Sequence, residues 1–138
     1  MSQKPVITFD DITNIVLEER RPGCEKGVLH DGPVQTAVYR VQPGSGVPTH
    51  LHARVYDVFV GVKGNLEIRY EGQHGNGVFV LKPGAFCRMP PGVRHELSNP
   101  SKTDETIFLL VQASQEGFDY VPAPFRATEA ALSFSPRT

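Results

Sequence analysis

The sequence predicts an all-β domain, a small barrel or sandwich of about eight short strands. The first observation is a series of short β-branched or alternating runs, with turn signals about every eight to twelve residues. The second is a content of 13 Gly and 12 Pro among 138 residues, which is typical of a turn-rich β protein. The third is a hydrophobic fraction of 39% with eight Phe and four Tyr, which is enough for one buried core.

The first two predicted strands lie near the N-terminus. Residues 6–9 and 14–18 are short β-branched runs, and a turn follows at Arg21-Pro22-Gly23. Either run suits a strand at the edge of a sheet.

The middle of the chain predicts half-buried strands and one hairpin. Residues 35–41 alternate between apolar and polar side chains, and residues 58–62 stop at a glycine-containing turn. Residues 66–70 and 78–81 flank the polar turn 71–77, so these two runs predict a hairpin.

The last predicted strands are residues 86–89, 95–97 and 106–112, of which the third is the most hydrophobic. Residues 114–138 carry prolines and scattered aromatic side chains, and residues 128–132 suit a single helical turn. We expect this extension to pack on the barrel or on a second subunit.

The charge balance excludes two classes of partner. The chain has 14 basic and 15 acidic residues, so we expect it to bind neither nucleic acid nor a membrane. It has no run of about 18 apolar residues, and its first residues lack the apolar stretch of a secretory signal. We therefore expect a cytoplasmic protein in which Cys24 and Cys87 are free thiols.

Two histidines are spaced for chelation. His50 and His52 are two residues apart in a segment of strand character, so their rings point to the same side. Taken alone, such a pair is more often two ordinary surface side chains than a metal site. His30 and His74 lie beside turn glycines and are interpreted as solvated.

Two glycine-framed motifs surround these histidines and a later one. The first motif reads Gly44-x5-His50-x-His52-x4-Asp57-x6-Gly64. The second motif reads Gly84-x5-Pro90-x-Gly92-x2-His95-x3-Asn99. From about residue 34 to residue 111, the chain resembles the cupin family, whose two motifs have this form.

The resemblance implies a cupin double-stranded β-helix, a jelly-roll barrel of about six to eight core strands. It also implies that His50, His52, Asp57 and His95 are metal ligands. The family usually has Glu where this chain has Asp57, which is shorter by one methylene. Two alternatives stay open: Asp57 binds the metal, or it lies beside a three-histidine site and acts as a catalytic base.

Three imidazoles and a carboxylate suit a divalent transition metal better than Mg or Ca. Fe(II) is favoured because the resemblance favours an oxygenase, and Mn, Ni, Co or Zn would also suit these ligands. An octahedral ion with four protein ligands keeps two positions open, which indicates catalysis rather than a structural metal.

Strand parity and neighbouring strands suggest which residues line a substrate pocket. Phe59 is two residues beyond Asp57 and is expected to face the barrel interior, either as pocket lining or as core. An inward Arg88 would require an anionic substrate, because an unpaired buried charge is costly; a surface Arg88 is the alternative. The predicted pocket residues are Tyr39, Phe59, Arg88, Phe108 and Gln112.

We expect a small-molecule substrate or ligand, and three classes of function remain open. The resemblance favours a metal-dependent dioxygenase acting on an enol, a diketone or a related small organic molecule. The alternatives are a non-redox isomerase or lyase acting on a hydroxy acid or sugar derivative, and a non-catalytic binding protein. The resemblance also implies a homodimer formed through N-terminal strands, for which residues 12–18 would serve. The expected division is residues 1–33 for the N-terminal strand segment, 34–113 for the barrel and 114–138 for the extension.

Overall fold

The computed structural model describes residues 6–114 and 116–126, which form two antiparallel β-sheets. The strands are β1 (Glu18–Arg21), β2 (Cys24–His30), β3 (Val34–Val41), β4 (Gly46–Leu51), β5 (Tyr56–Lys63), β6 (Leu66–Gly72), β7 (Gly75–Leu81), β8 (Phe86–Met89), β9 (Arg94–Ser98), β10 (Thr106–Ala113) and β11 (Val121–Pro122). The described residues contain no helix that is long and apolar enough to cross a bilayer.

The two sheets bring together strands that are distant in the chain. One sheet has six strands in the order β1-β2-β3-β10-β5-β8, and the other has five in the order β11-β4-β9-β6-β7. The core lies between the sheets, with Val41, Phe59 and Phe108 from the first packed against Leu66 and Ile68 from the second. These five side chains are at most 1% exposed. The all-β prediction and the jelly-roll fold are thereby confirmed.

One motif glycine closes the turn between β5 and β6. Gly64 has φ 68°, a conformation that side-chain-bearing residues rarely adopt. A Cβ atom there would lie 2.7 Å from the backbone oxygen of Glu105. The turn therefore needs glycine both for its backbone conformation and for the close approach of Glu105, the residue directly before β10.

The central strands confirm the predicted runs. Strands β3 and β5 to β10 include all seven predicted runs between residues 35 and 112, and their ends differ by at most three residues. The agreement has a local cause, because alternating side chains and Gly or Pro turns specify these strands over a few residues.

The first predicted N-terminal strand is wrong. Residues 6–9 form no strand, and the side chains of Val6, Ile7 and Phe9 are 82–88% exposed. A β-branched run forms a strand only where it meets a neighbouring strand and a surface to pack on. The described residues offer these three side chains neither.

The second N-terminal prediction is also wrong, and two strands, β1 and β2, are not evident from the sequence. Residues 14–18 are not a strand: a 3-10 turn, Ile12–Asn14, is capped by the Asp11 carboxylate, which accepts a hydrogen bond from the backbone nitrogen of Thr13. Strand β1 begins only at Glu18, and β2 pairs with it. Both strands are rich in charged residues and lack a clear alternation, so the sequence pattern did not reveal them.

The extension after the barrel packs on the second sheet. Strand β11 pairs with β4, so that Val121 lies opposite Leu51 and Pro122 lies opposite His50. The backbone nitrogen of Ala123 donates to the oxygen of Thr49 at 3.3 Å. This segment therefore runs directly beside the first histidine. The helical turn predicted at residues 128–132 lies outside the described residues.

Candidate metal centre

Four candidate ligands come from both sheets. His50 lies on β4 directly opposite His95 on β9, and His52 follows the end of β4 on the same side as His50. Asp57 enters from β5 in the other sheet. All four side chains are buried, and each residue is at most 6% exposed. The interpretation of His50 and His52 as an ordinary surface pair is therefore wrong.

A backbone carbonyl accepts a hydrogen bond from the Nδ1 atom of each imidazole. Nδ1 of His50 lies 2.8 Å from the oxygen of Pro48, and Nδ1 of His95 lies 2.9 Å from the oxygen of Val93. Nδ1 of His52 hydrogen-bonds to the oxygen of Asp119. A carbonyl can only accept, so each Nδ1 carries the hydrogen, and in the neutral ring Nε2 keeps a free lone pair.

The inner nitrogens converge on one point. One ring nitrogen from each of His50, His52 and His95 can be chosen so that all three lie within 4.8 Å of one another. The Nε2 atom of His95 is fully buried and has no hydrogen-bond partner in the described part of the chain. Because a buried polar atom without a partner is costly, this nitrogen fits a ligand to a cation. The three histidines can therefore bind a divalent metal.

The Asp57 carboxylate faces two of these nitrogens. Its Oδ2 atom lies 3.1 Å from Nε2 of His52 and 3.5 Å from Nε2 of His95, while Oδ1 accepts a hydrogen bond from Gln112 at 2.9 Å. A carboxylate oxygen opposite an imidazole lone pair is favourable only when a proton or a cation lies nearby. The arrangement suits Asp57 both as a neighbour of a bound ion and as an acceptor of a proton.

The pKa values of this pair reflect that contact. Burial would raise the pKa of Asp57, but the nearby imidazoles of His52 and His95 and the hydrogen bond from Gln112 hold it well below its usual range. Burial would lower the pKa of His52, but the hydrogen bond and charge of Asp57 raise it overall. Without a metal, Asp57 is therefore ionised at neutral pH.

His50 behaves differently. Burial, reinforced by the nearby charge of His95, lowers the pKa of His50 to about 4. The His50 ring is therefore neutral at physiological pH, as a metal ligand must be.

Two residues of the extension belong to the site and were not predicted. The Tyr120 ring stacks on His50, with centroids 4.4 Å apart and planes at 21°. Besides its contact with His52, Asp119 accepts hydrogen bonds through its carboxylate from the backbone nitrogens of Ala53 at 2.6 Å and Arg54 at 3.2 Å. Neither residue belongs to a recognisable motif, so only the general expectation that the extension packs on the barrel pointed to them.

A cavity of about 450 Å³ opens onto the centre. It is lined by Arg20, Arg21, Cys24, Lys26, Gln35, Tyr39, Val47, His50, His52, Asp57, Phe59, Leu97, Leu110, Gln112, Phe118, Asp119 and Tyr120. The predicted residues Tyr39, Phe59 and Gln112 are thus part of the lining. Phe108 is not: it is fully buried beneath Tyr39, and the two rings stack at 5.0 Å.

The placement of Arg88 in the pocket is wrong. Strands β5 and β8 pair so that Asp57 lies opposite Met89, Phe59 opposite Cys87, and Val58 opposite Arg88. Directly paired residues share a face of the sheet, so Cys87 and Met89 point inward and Arg88 points outward. Arg88 is exposed, with its guanidinium carbon 4.5 Å from the centroid of the Tyr56 ring.

Comparisons with known proteins agree with this fold. A family model described as a cupin domain matches residues 37–112. No curated protein matches the chain.

Several solved structures are similar to the chain. KdgF from Halomonas sp. has a TM-score of 0.67 at 16% identity, covering 80% of this chain and 96% of that one. An RmlC-like cupin from Shewanella frigidimarina has a TM-score of 0.64 at 18% identity, covering 86% and 93%. A recombinant oxalate oxidase in complex with glycolate has a TM-score of 0.66 at 21% identity, covering 83% and 62%. At these identities the likeness shows the fold alone.

Proposed function

The chain belongs to the cupin family, and we propose that it is a metal-dependent enzyme, a dioxygenase acting on an enol, a diketone or a related small molecule. One observation carries the proposal. Three imidazole nitrogens and a carboxylate meet beside a cavity large enough for a small substrate, and His50, His52 and Asp57 line that cavity.

His50, His52 and His95 would hold the ion. When bound there, Fe(II), or in its place Mn, Ni, Co or Zn, would lower the pKa of a substrate hydroxyl and, if redox-active, allow electrons to pass to O2. The Nδ1 atoms of the three histidines hydrogen-bond to backbone carbonyls, and these bonds fix the tautomer and the orientation of each ring before any ion binds.

Asp57 would act as the base. Its Oδ2 atom lies 3.1 Å from Nε2 of His52, so it is the carboxylate oxygen beside the histidines that would accept the proton of an enol or of a carbon next to a carbonyl. Gln112 donates to Oδ1 and so fixes the orientation of the carboxylate. Tyr39 and Phe59 give the cavity aromatic walls that limit the access of water.

The test begins with elemental analysis of untagged protein purified without chelators. Iron-loaded protein is then assayed in an oxygen electrode with a panel of enolisable diketones and flavonol-like enols. We expect bound iron, and oxygen consumption that requires one of the substrates and is lost in His50→Ala/His52→Ala. Circular dichroism of this variant checks that the barrel still folds. A protein that holds only zinc, or that consumes no oxygen with any enol, contradicts the dioxygenase proposal.

A non-redox isomerase or lyase is the second candidate, and the position of Asp57 favours it equally. An ionised base beside a metal can move a proton between neighbouring carbons of a hydroxy acid without oxygen. Turnover that persists under anaerobic conditions, with Mn or Ni in place of iron, would select this reaction class.

A further inference from the structure

Three cationic side chains line the same cavity as the histidines. Arg20 and Arg21 come from β1 and Lys26 comes from β2, next to it in the first sheet. Arg20 is exposed, whereas Arg21 and Lys26 are half-buried. His50, His52 and Asp57 on the same lining are buried, so these more exposed cations form the outer part of the cavity, which we call the cationic mouth.

Among the described residues, no carboxylate lies within ion-pair distance of the cationic mouth. Across residues 6–114 and 116–126, the ion pairs within 4.0 Å join Arg40 to Glu25, Lys63 to Glu105, and Asp57 to histidines. None of them involves Arg20, Arg21 or Lys26. A half-buried cation without a counter-ion is unfavourable, so the mouth favours the arrival of an anion.

Aromatic rings hold two of these cations without neutralising them. Nζ of Lys26 lies 5.6 Å from the centroid of the Tyr39 ring. The guanidinium carbon of Arg21 lies 6.0 Å from the centroid of Tyr120, the ring that stacks on His50. The Arg21 guanidinium and the candidate metal ligand His50 therefore contact the same aromatic ring. Both cation–ring distances are within the range of a cation–π contact.

The carboxylates that line the cavity are already engaged. Asp57 contacts His52 and accepts from Gln112, and the carboxylate of Asp119 accepts from the backbone nitrogens of Ala53 and Arg54. The lining therefore carries three cationic side chains and two carboxylates, and neither carboxylate lies within 4.0 Å of a cation of the mouth. Burial, together with the neighbouring charge of Arg20, lowers the pKa of Lys26 despite the opposing effect of Asp31.

We propose that the substrate is a small organic dianion, whose outer carboxylate binds to Arg20, Arg21 and Lys26 while its other end meets the metal centre. The inference rests on the metal centre of the proposed function, and it narrows the substrate of either candidate reaction, the dioxygenase or the isomerase or lyase, to acids with a second carboxylate. It also replaces the anion-binding role considered for Arg88: the cations come from β1 and β2, and Arg88 lies on the outer face of β8.

The test compares matched pairs of 2-hydroxy acids. Malate, 2-hydroxyglutarate and 2-hydroxyadipate carry a second carboxylate at increasing distance, and 2-hydroxybutyrate, 2-hydroxyvalerate and 2-hydroxyhexanoate replace it with a methyl group. Calorimetric titrations give dissociation constants for Co(II)-loaded and metal-free protein. A carboxylate held by charged hydrogen bonds should make the best-fitting diacid bind the loaded protein about tenfold or more tightly than its partner.

Variants assign the preference to the cationic mouth. Arg20→Gln/Arg21→Gln/Lys26→Gln should bind each diacid and its monoacid partner equally, with cobalt content unchanged. Lys26→Gln alone, the substitution that disturbs the fold less, should lower the preference severalfold. Arg88→Gln removes an arginine charge from the outer face and should leave the preference as in the wild type.

Two results would overturn the inference: equal binding of diacid and monoacid at every length, or a preference that survives the triple substitution. Failure to bind cobalt contradicts the proposed function instead. In that case the diacid preference of the metal-free protein, and its loss in the triple variant, still decides whether the mouth binds a carboxylate.

Discussion

Substituting Asp57 with Asn tests whether this carboxylate supports a bound metal. The substitution keeps the size of the side chain but removes the charge that lies 3.1 Å and 3.5 Å from two imidazole nitrogens. Loss of a group that supports metal ligands typically weakens metal binding about 10- to 100-fold, which corresponds to about 1.4–2.7 kcal/mol. We expect an effect in this range for Asp57→Asn.

The same change is visible in thermal stability. At a metal concentration about 100 times its dissociation constant, the wild type should gain about 2.7 kcal/mol over the metal-free protein. At that concentration the variant should gain only about 0.4–1.4 kcal/mol. The assays are competition for Co(II) with a chromophoric chelator at pH 7.5, and melting temperatures with and without metal.

The matched control is Glu105→Gln, which removes a half-buried carboxylate that pairs with the exposed Lys63 at 3.3 Å. It should change stability by less than about 1 kcal/mol and leave metal affinity untouched. If Asp57→Asn binds cobalt within about twofold of the wild type, the carboxylate does not act on the ion and the reasoning from its position is refuted.

Three further predictions concern Tyr120, Phe59 and His50. Tyr120→Ala should weaken metal binding about 2- to 10-fold because the ring that stacks on His50 is lost, whereas Tyr120→Phe should keep the wild-type affinity; equal affinities in a chelator competition would contradict this. Phe59→Ala should lower the free energy of unfolding by about 3–5 kcal/mol, since the side chain is 1% exposed and packs between Phe108 and His95; a loss below about 1 kcal/mol in urea titrations would contradict this packing role. In the metal-free protein the pKa of His50 is about 4, below its unfolded value, so protonation favours the unfolded state as pH falls from about 6.5 to 4. Over that window the wild type should lose up to about 3 kcal/mol relative to His50→Gln, and parallel pH profiles of the two unfolding free energies would exclude this effect.

The histidines of the centre were predictable because their signal is local. His50 and His52 share a side through the two-residue period of a strand, and glycines that form turns frame His50, His52 and His95. Even so, the sequence left open whether Asp57 binds the metal or acts beside it. The structure places its carboxylate against His52 and His95 and under the amide of Gln112, a position that serves both roles.

Arg88 shows what the alternation of side chains along a strand does not predict. Alternation along β8 divides Phe86, Arg88 and Cys87 between two faces, but it does not say which face is inward. The pairing of β8 with β5 decides this, since Cys87 lies opposite Phe59 and Arg88 lies opposite Val58. That register is a tertiary contact between strands about thirty residues apart, and no short sequence pattern records it.

The two groups of functional residues also differ in their relation to the family. The candidate ligands His50, His52 and His95 lie within residues 37–112, the part of the chain that the cupin domain matches. The cationic mouth comes from β1 and β2, and Asp119 and Tyr120 come from the extension, all outside that range. Family membership therefore bears on the metal chemistry and says little about the substrate. If the dianion proposal is correct, the segments that flank the barrel motifs determine which acid binds. Substitutions of the cationic side chains of β1 and β2 should therefore change which acid binds, whereas substitutions of the histidines should abolish metal binding whatever the acid.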